Sequence, residues 1–125
     1  MSDSIVLNSA TLDCPNAVQL ADFYAEITGG KVTFRSPGWA TIKGSGGRIN
    51  FQTAPGYRAP TWPDQASSMQ IHLDFDVDDL EAAEARVLAA GALKYATQPN
   101  EHCRVYADPV GHPFCLSTDD VPDQV

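Results

Sequence analysis

The sequence predicts an α+β chain built from two tandem βαβββ modules. Two observations carry this reading. Residues 69–91 read as a strand running directly into a capped helix, and the same pattern occurs 63 residues earlier. After each copy, three further short extended segments follow, so the boundaries fall at 4–54 for the first module, 55–68 for a linker and 69–118 for the second module.

The clearer copy is the second. From 69 to 77 the residues alternate: Ile71, Leu73, Phe75 and Val77 share one strand face, and Gln70, His72, Asp74 and Asp76 the other. At Asp78 the spacing turns helical. Leu80, Ala83, Val87 and Ala90 form an apolar stripe, Asp78 stands at the N-cap with Glu81 three residues on, and Gly91 is placed to stop the helix. Subtracting 63 maps His72 onto Ser9, Asp74 onto Thr11, Asp76 onto Asp13, Val77 onto Cys14 and Leu80 onto Ala17. Burial parity survives that shift, because Ala10, Leu12 and Cys14 share one face while Ser9, Thr11 and Asp13 share the other. Asn16 with Gln19 repeats the polar cap, and Ala17, Leu20, Ala21 and Tyr24 repeat the stripe up to Gly29-Gly30.

In chain order, after a polar start, 5–14 is predicted as strand and 16–28 as helix. Strands at 31–35, 39–43 and 48–53 are separated by Ser36-Pro37-Gly38 and Gly44-Ser45-Gly46-Gly47. Three prolines, Pro55, Pro60 and Pro63, remove the backbone donors that a central strand or helix needs, which makes 55–68 a linker. Its aromatic residues Tyr57 and Trp62 are either pinned against the body of the protein or cover a ligand. In the second module strand 69–77 and helix 78–90 are followed by strands at 93–97, 102–107 and 113–118, with Pro99-Asn100 and Asp108-Pro109-Val110-Gly111 as turns. Residues 119–125, with Asp119, Asp120 and Asp123, read as a solvated tail.

Composition bounds the partners. With 125 residues and 43% apolar content there is enough material for a core, but a half of about 60 residues is marginal alone. Eight basic against sixteen acidic side chains leave a net charge of −8, which disfavours nucleic acid and anionic membranes as partners. No apolar run approaches the ~20 residues of a membrane span, and the N-terminus lacks the pattern of a secretion signal. Cys14, Cys103 and Cys115 are odd in number and show no CxxC spacing, which fits reduced thiols and a cytoplasmic setting.

Two such modules, the helix entry Asp74-Phe75-Asp76-Val77-Asp78-Asp79-Leu80 and the final Asp108-Pro109-Val110-Gly111-His112-Pro113-Phe114 together resemble the vicinal oxygen chelate superfamily, the glyoxalase, bleomycin-resistance and dioxygenase group. Within it the chain looks most like a small glyoxalase-like domain protein. The resemblance implies that the two sheets form a cupped, partly open cavity, and that two copies of the chain form a homodimer. In metal-dependent members four side chains, from the first and fourth strands of each module, hold a divalent ion. By position these fall on Ser9, about Asn50, His72 and Cys115. Only His72 is a usual ligand, so the expectation is no metal and no cofactor. His72 and Asp74 point the same way along a strand and could anchor a facial triad, with His102 or His112 as third ligand. The competing reading has His72 hydrogen-bonded within the cavity and His112 bracing a turn.

Without a metal, the polar faces would line a site for a small hydrophobic or aromatic compound. That nominates Ser9, Thr11, Asn50, Gln52, His72, Asp74, Cys115 and Ser117, with Trp39, Tyr57 and Trp62 as walls. Trp39 could equally be core packing. Cys115 reads as a small apolar group, since no neighbouring basic residue lowers its pKa, and Ser9 lacks the sequence context of a nucleophile. The expected function is metal-independent binding of such a compound. The alternative is a lyase, isomerase or dioxygenase using His72 as base or metal anchor, and no catalytic residue is otherwise named.

Overall fold

A computed structural model describes residues 4–44 and 46–118. Ser45 of the predicted turn and the acidic tail at 119–125 lie outside them. The chain divides between Tyr57 and Arg58, within the segment read as linker, into two compact units.

The first unit contains β1 (Ala10–Cys14), α1 (Ala17–Thr28), β2 (Lys31–Ser36), β3 (Trp39–Gly44) and β4 (Gly47–Thr53). The second contains β5 (Leu73–Asp76), α2 (Leu80–Ala90), β6 (Leu93–Lys94), β7 (Cys103–Ala107) and β8 (Pro113–Ser117). Each unit is thus a βαβββ module, and the two sheets share one topology: β1-β4-β3-β2 and β5-β8-β7-β6. In both, the first strand pairs parallel with the fourth and the other pairings are antiparallel. The fold is α+β with a duplicated module.

Each helix covers one face of its own sheet. Leu20, Ala21, Phe23 and Tyr24 of α1 are buried with Leu12, Cys14, Ala40, Ile42 and Phe51, and the Tyr24 ring stacks on Phe51 at 5.6 Å. In the second module Tyr106 stacks on Phe114 at 5.6 Å and Phe75 meets Phe114 edge-on at 6.0 Å. The helix α2 is held less by apolar burial, with only Val87 fully covered, and more by charge. Arg104 on β7 donates to Glu81 at 2.7 Å and to Glu84 at 3.2 Å, Lys94 pairs with Glu84 at 2.9 Å, and the buried Tyr106 hydroxyl donates to Glu84 at 2.7 Å.

Besides shifts of a single residue at other strand ends, three strands and one helix cap differ from the sequence reading, each for a local cause. The strand expected at 5–14 begins only at Ala10, because its ladder partner β4 begins at Gly47 and Ala10 already stands opposite Ile49. Ile5, Val6 and Leu7 are exposed. Likewise the strand expected at 69–77 keeps only Leu73–Asp76, the length over which the five-residue β8 pairs with it, and Ile71 lies 59% exposed. The segment expected at 93–97 shrinks to two residues because Gln98 takes the place of a strand neighbour beyond Lys94, donating to the Tyr95 and Val105 carbonyls and accepting from the Val105 amide. The α2 cap is Asp79, not Asp78: its carboxylate accepts from the Glu81 and Ala82 amides at 2.9 and 3.1 Å. The α1 cap at Asn16 is as expected, accepting from the Gln19 amide, and the two helices end at Gly29 and Gly91 with φ of 75° and 116°.

The Asp108-Pro109-Val110-Gly111 turn is built around a buried carboxylate. Asp108 accepts from the amides of Val110 at 2.9 Å and His112 at 3.0 Å. Gly111 has a φ of 98°, and a Cβ there would stand 2.6 Å from that of Ala59. The turn therefore also seats the start of the proline-containing segment.

Candidate functional site

The face of each sheet turned away from its helix carries the polar residues, and the pairing registers set them side by side. In the first sheet Thr11 stands opposite Asn50, which stands opposite Thr41, and Gln52 stands opposite Trp39. Ser9 precedes β1 on the same parity. A chain of hydrogen bonds joins them. Trp39 Nε1 donates to Thr41 Oγ1 at 3.3 Å, and Thr41 Oγ1 donates to Asn50 Oδ1 at 2.7 Å. Asn50 Nδ2 donates to Ser9 Oγ at 2.7 Å and reaches Thr11 Oγ1 at 3.5 Å, while Ser9 Oγ donates to Asn8 Oδ1 at 2.7 Å. Trp39 therefore belongs to the polar face, half-buried, and not to the core between sheet and helix. Gln52 is exposed on this face, and Tyr57 is half-buried at the end of the first unit.

The second sheet repeats the arrangement with different chemistry. Asp74 stands opposite Cys115 and Asp76 opposite Ser117, with His72 just before β5 in the place that Ser9 takes before β1. Where the first sheet has two hydroxyls and an amide, the second has an imidazole, a carboxylate and a thiol. His72 Nε2 lies 3.1 Å from Asp74 Oδ1. One ligand atom from each of His72, Asp74 and Cys115 lies within 4.8 Å of the others. The trio grades outward, from the buried thiol, through an imidazole 35% exposed, to a carboxylate 62% exposed.

Next to the trio is an apolar wall. Cys103 and Val105 on β7 are buried with Cys115, and Trp62 and Tyr95 pack against that cluster, their rings meeting edge-on at 5.0 Å. Trp62 is held in place by its own segment. The Thr61 amide and hydroxyl, the Ser67 amide and carbonyl and the Asp64 carboxylate close a small loop around it, with the Thr61 amide donating to the Ser67 carbonyl at 2.8 Å. Trp62 thus packs against this cluster with its own segment tied into a loop beside it. Burial, the neighbouring Cys103 thiol and the Asp74 carboxylate push the Cys115 thiol well above the usual thiol range. It is therefore a protonated group at neutral pH and a poor nucleophile. Burial also raises the Tyr95 phenol, with the Asp108 carboxylate adding to the effect.

The structure brings together Ser9, Thr11, Trp39 and Asn50 on one sheet, and His72, Asp74, Cys115 and Trp62 on the other. Ser117 is buried beside Cys103 in the pairing. The two histidines proposed as third ligands do not join His72 and Asp74 among the described residues; Cys115 does. His102 is exposed at the start of β7, and His112 sits in the Asp108 turn, its amide held by that carboxylate. Cys103 and Tyr95, together with Val105 and Thr41, escaped the sequence reading. The alternation of Cys103 and Val105 against Arg104 and Tyr106 was the available signal for the first. Tyr95 had none, because it lies just past β6, which ends at Lys94 and is too short to show a period.

An ion held at Ser9, Asn50, His72 and Cys115, as the resembled superfamily holds one, does not fit these residues. The Asn50 amide is committed at both ends to neighbours in its own sheet, and Ser9 is one of them. An open cleft of about 550 Å³ lies elsewhere in the first module, beside the start of α1, and is lined by Pro15, Val18 and Pro37 among others. None of the nominated residues lines it, and its Arg35 is paired with Asp22 at 3.0 Å.

The family model of the glyoxalase-like domain matches residues 9–117. Among solved structures, a glyoxalase/bleomycin resistance protein/dioxygenase family enzyme from Burkholderia phytofirmans superposes with a TM-score of 0.71 at 20% identity, over 91% of this chain and 98% of that one. A glyoxalase-related enzyme from Fulvimarina pelagi gives 0.69 at 20% identity, over 98% and 94%. Oxidase ChaP-H2 gives 0.67 at 21% identity, over 92% and 94%. No curated protein matches the chain. At these identities the structural matches speak to fold.

Proposed function

Because the chain belongs to the glyoxalase-like domain family, we propose that it binds a small hydrophobic or aromatic compound on the polar faces of its sheets, without an ion shared between its modules. One observation carries this reading. At two of the four positions where metal-dependent members keep ligands, Asn50 and Ser9 are hydrogen-bonded to each other at 2.7 Å, and the Asn50 carbonyl is taken up by Thr41. Neither offers the charge or the basicity that a divalent ion needs. The other requirement of a ligand site, an apolar wall beside a few directed polar groups, is met on the second sheet by Trp62, Tyr95 and Val105 next to His72 and Asp74. The compound would be held by burial against the rings and oriented by hydrogen bonds.

A second reading is favoured by the His72–Asp74 pair at 3.1 Å, which fixes the orientation of an imidazole in the way general bases require. The relatives whose names include enzyme or oxidase support it as well. Isothermal calorimetry with a neutral two-ring aromatic probe separates the two. Under the binding reading Trp62→Ala weakens affinity about tenfold, the loss of roughly 1.5 kcal/mol of aromatic contact, and His72→Ala stays within about fivefold. An aromatic substrate whose turnover disappears in His72→Ala while its affinity is kept supports the enzyme instead.

The reading has two copies pairing, consistent with the exposed run Ile5-Val6-Leu7, which light scattering of the purified chain would check. It also places the protein in the cytoplasm, where Cys14, Cys103 and Cys115, all free thiols, stay reduced. Among the described residues no helix is long and apolar enough to cross a membrane. The net charge of −8 argues against nucleic acid and anionic membrane partners.

A further inference from the structure

The three thiols of the chain are not equivalent. Cys14 has no exposed surface and donates to the Gln52 carbonyl at 3.6 Å. Cys103 and Cys115 lie together on the second sheet and keep 5% and 7% exposure, enough to meet a small molecule. We propose that this pair is an oxidation site, where a peroxide converts the two thiols into a reversible disulfide within the second module, under the Trp62 and Tyr95 rings. The inference does not rest on the ligand-binding proposal.

Register places the pair. On β7 and β8, Cys103 stands opposite Ser117 and Val105 opposite Cys115, so all four side chains share one face and the two thiols are diagonal neighbours. Diagonal neighbours have Cα atoms about 7–8 Å apart and a disulfide usually spans about 4.4–6.8 Å, so closure asks for roughly an ångström of backbone movement. The strand ends can supply it. Cys103 is the first residue of β7 and Ser117 the last of β8, and the next bond outward, from the Thr118 amide to the His102 carbonyl, is long at 3.4 Å. The Cys103 amide is held by Asn100 Oδ1 at 2.9 Å, so it moves with that turn. A bond closed in this way carries strain, and strained disulfides are the readily reduced, regulatory kind. The pair therefore rests as thiols and returns to them.

The chemistry balances with hydrogen peroxide as oxidant. Burial, the neighbouring Cys103 thiol and the Asp74 carboxylate keep Cys115 protonated, so the first attack falls to Cys103. Its sulfur attacks the peroxide, a sulfur–oxygen bond forms, the oxygen–oxygen bond breaks, and the thiol proton leaves with the departing oxygen as water. The Cys115 sulfur then attacks the sulfenic acid. The sulfur–sulfur bond forms and hydroxide leaves. The Cys115 proton passes to the Asp74 carboxylate, within 4.8 Å of it, and on to the hydroxide as a second water. Two electrons have moved from the sulfurs to the peroxide. Trp62 and Tyr95 pack on this cluster, so the new bond alters the surroundings of both rings.

The test uses the full chain, reduced, freed of reductant and treated with hydrogen peroxide. It is then unfolded in N-ethylmaleimide and digested with trypsin without reduction. The expected product, from a chain that runs as a monomer on a non-reducing gel, joins peptide 95–104 to peptide 105–125 through Cys103 and Cys115. Cys14 is expected alkylated, and reduction before alkylation should restore three alkylated cysteines. Oxidation of an unfolded chain would scramble the pairing, so links to Cys14 in equal share overturn the proposal, as do three alkylated cysteines after peroxide or a link only between copies. Cys115→Ser is expected to accumulate a Cys103 sulfenic acid trapped by dimedone, and Cys14→Ala to leave the link unchanged. The mapping is made on the parent protein and decides the matter even where a variant fails to fold. Tryptophan emission should shift as the link forms and stay constant in Trp62→Phe; an unchanged emission in the linked parent overturns the effect on the rings. The aromatic-probe titration is run under reductant, so either proposal can fail without the other.

Discussion

Glu84 ties the second module's helix to its sheet through Lys94, Arg104 and Tyr106, and replacing it with alanine has a calculable cost. The Tyr106 residue is fully buried, and its hydroxyl donates to Glu84 at 2.7 Å. Alanine leaves that hydroxyl without its acceptor, a penalty of about 1–3 kcal/mol. Two ion pairs go with it, to Lys94 at 2.9 Å and Arg104 at 3.2 Å, each worth about 0–1 kcal/mol at this partly exposed site, while Arg104 keeps Glu81. The expected loss is about 2–3 kcal/mol, read from urea unfolding followed by circular dichroism at neutral pH with an unchanged denaturant slope. Tyr106→Phe removes the orphaned donor, so in that background Glu84→Ala is expected to cost only about 1 kcal/mol. Strict additivity of the two substitutions would refute the account. The pH dependence has a definite sign. The hydrogen bond from Lys94, then that from Tyr106, holds the Glu84 carboxyl below its ordinary value of 4.5 despite its burial. Its contribution is therefore full above pH 4.5 and is lost as pH falls through the lowered folded-state value. In Glu84→Ala the acid limb of the stability curve should flatten.

The other structural expectations are simpler. Asp79→Ala should cost about 1 kcal/mol by removing the α2 cap, whereas Asp78→Ala should stay within about 0.5 kcal/mol, and thermal melts of the two variants decide which residue caps. Gly111→Ala combines a left-handed backbone with a Cβ 2.6 Å from that of Ala59, and should cost about 2 kcal/mol or more in urea unfolding. Gly38→Ala, where no atom lies within 4 Å of the added carbon, should be close to neutral. Cys115, its thiol pushed up by burial, should resist iodoacetamide in the native protein at neutral pH, as read by mass spectrometry, and react once the protein is unfolded.

The duplication was legible because strand parity and helix stops are local signals: His72 over Ser9 and Gly91 after Ala90 can be counted along the chain. Strand lengths were not, since Ile5 to Leu7 and Ile71 are as apolar as any strand and only the end of the partner strand shows that they have nothing to pair with. The choice between Asp78 and Asp79 as cap rests on which carboxylate reaches two amides, a matter of backbone angle and not of residue type. For the site, the pairing of His72 with Asp74 followed from spacing within one strand, but the third member came from β8, across a register that periodicity does not supply. Cys115 was nominated through the family resemblance and not as the partner of that pair, for which His102 and His112 were the candidates.

Calorimetric titration of chelator-stripped protein with a neutral two-ring aromatic compound tests the central claim most directly. One binding site, kept in the continued presence of chelator, is the predicted result. Binding that vanishes on stripping and returns with a divalent ion would contradict it, and would make an ion the organising element of the ligand site.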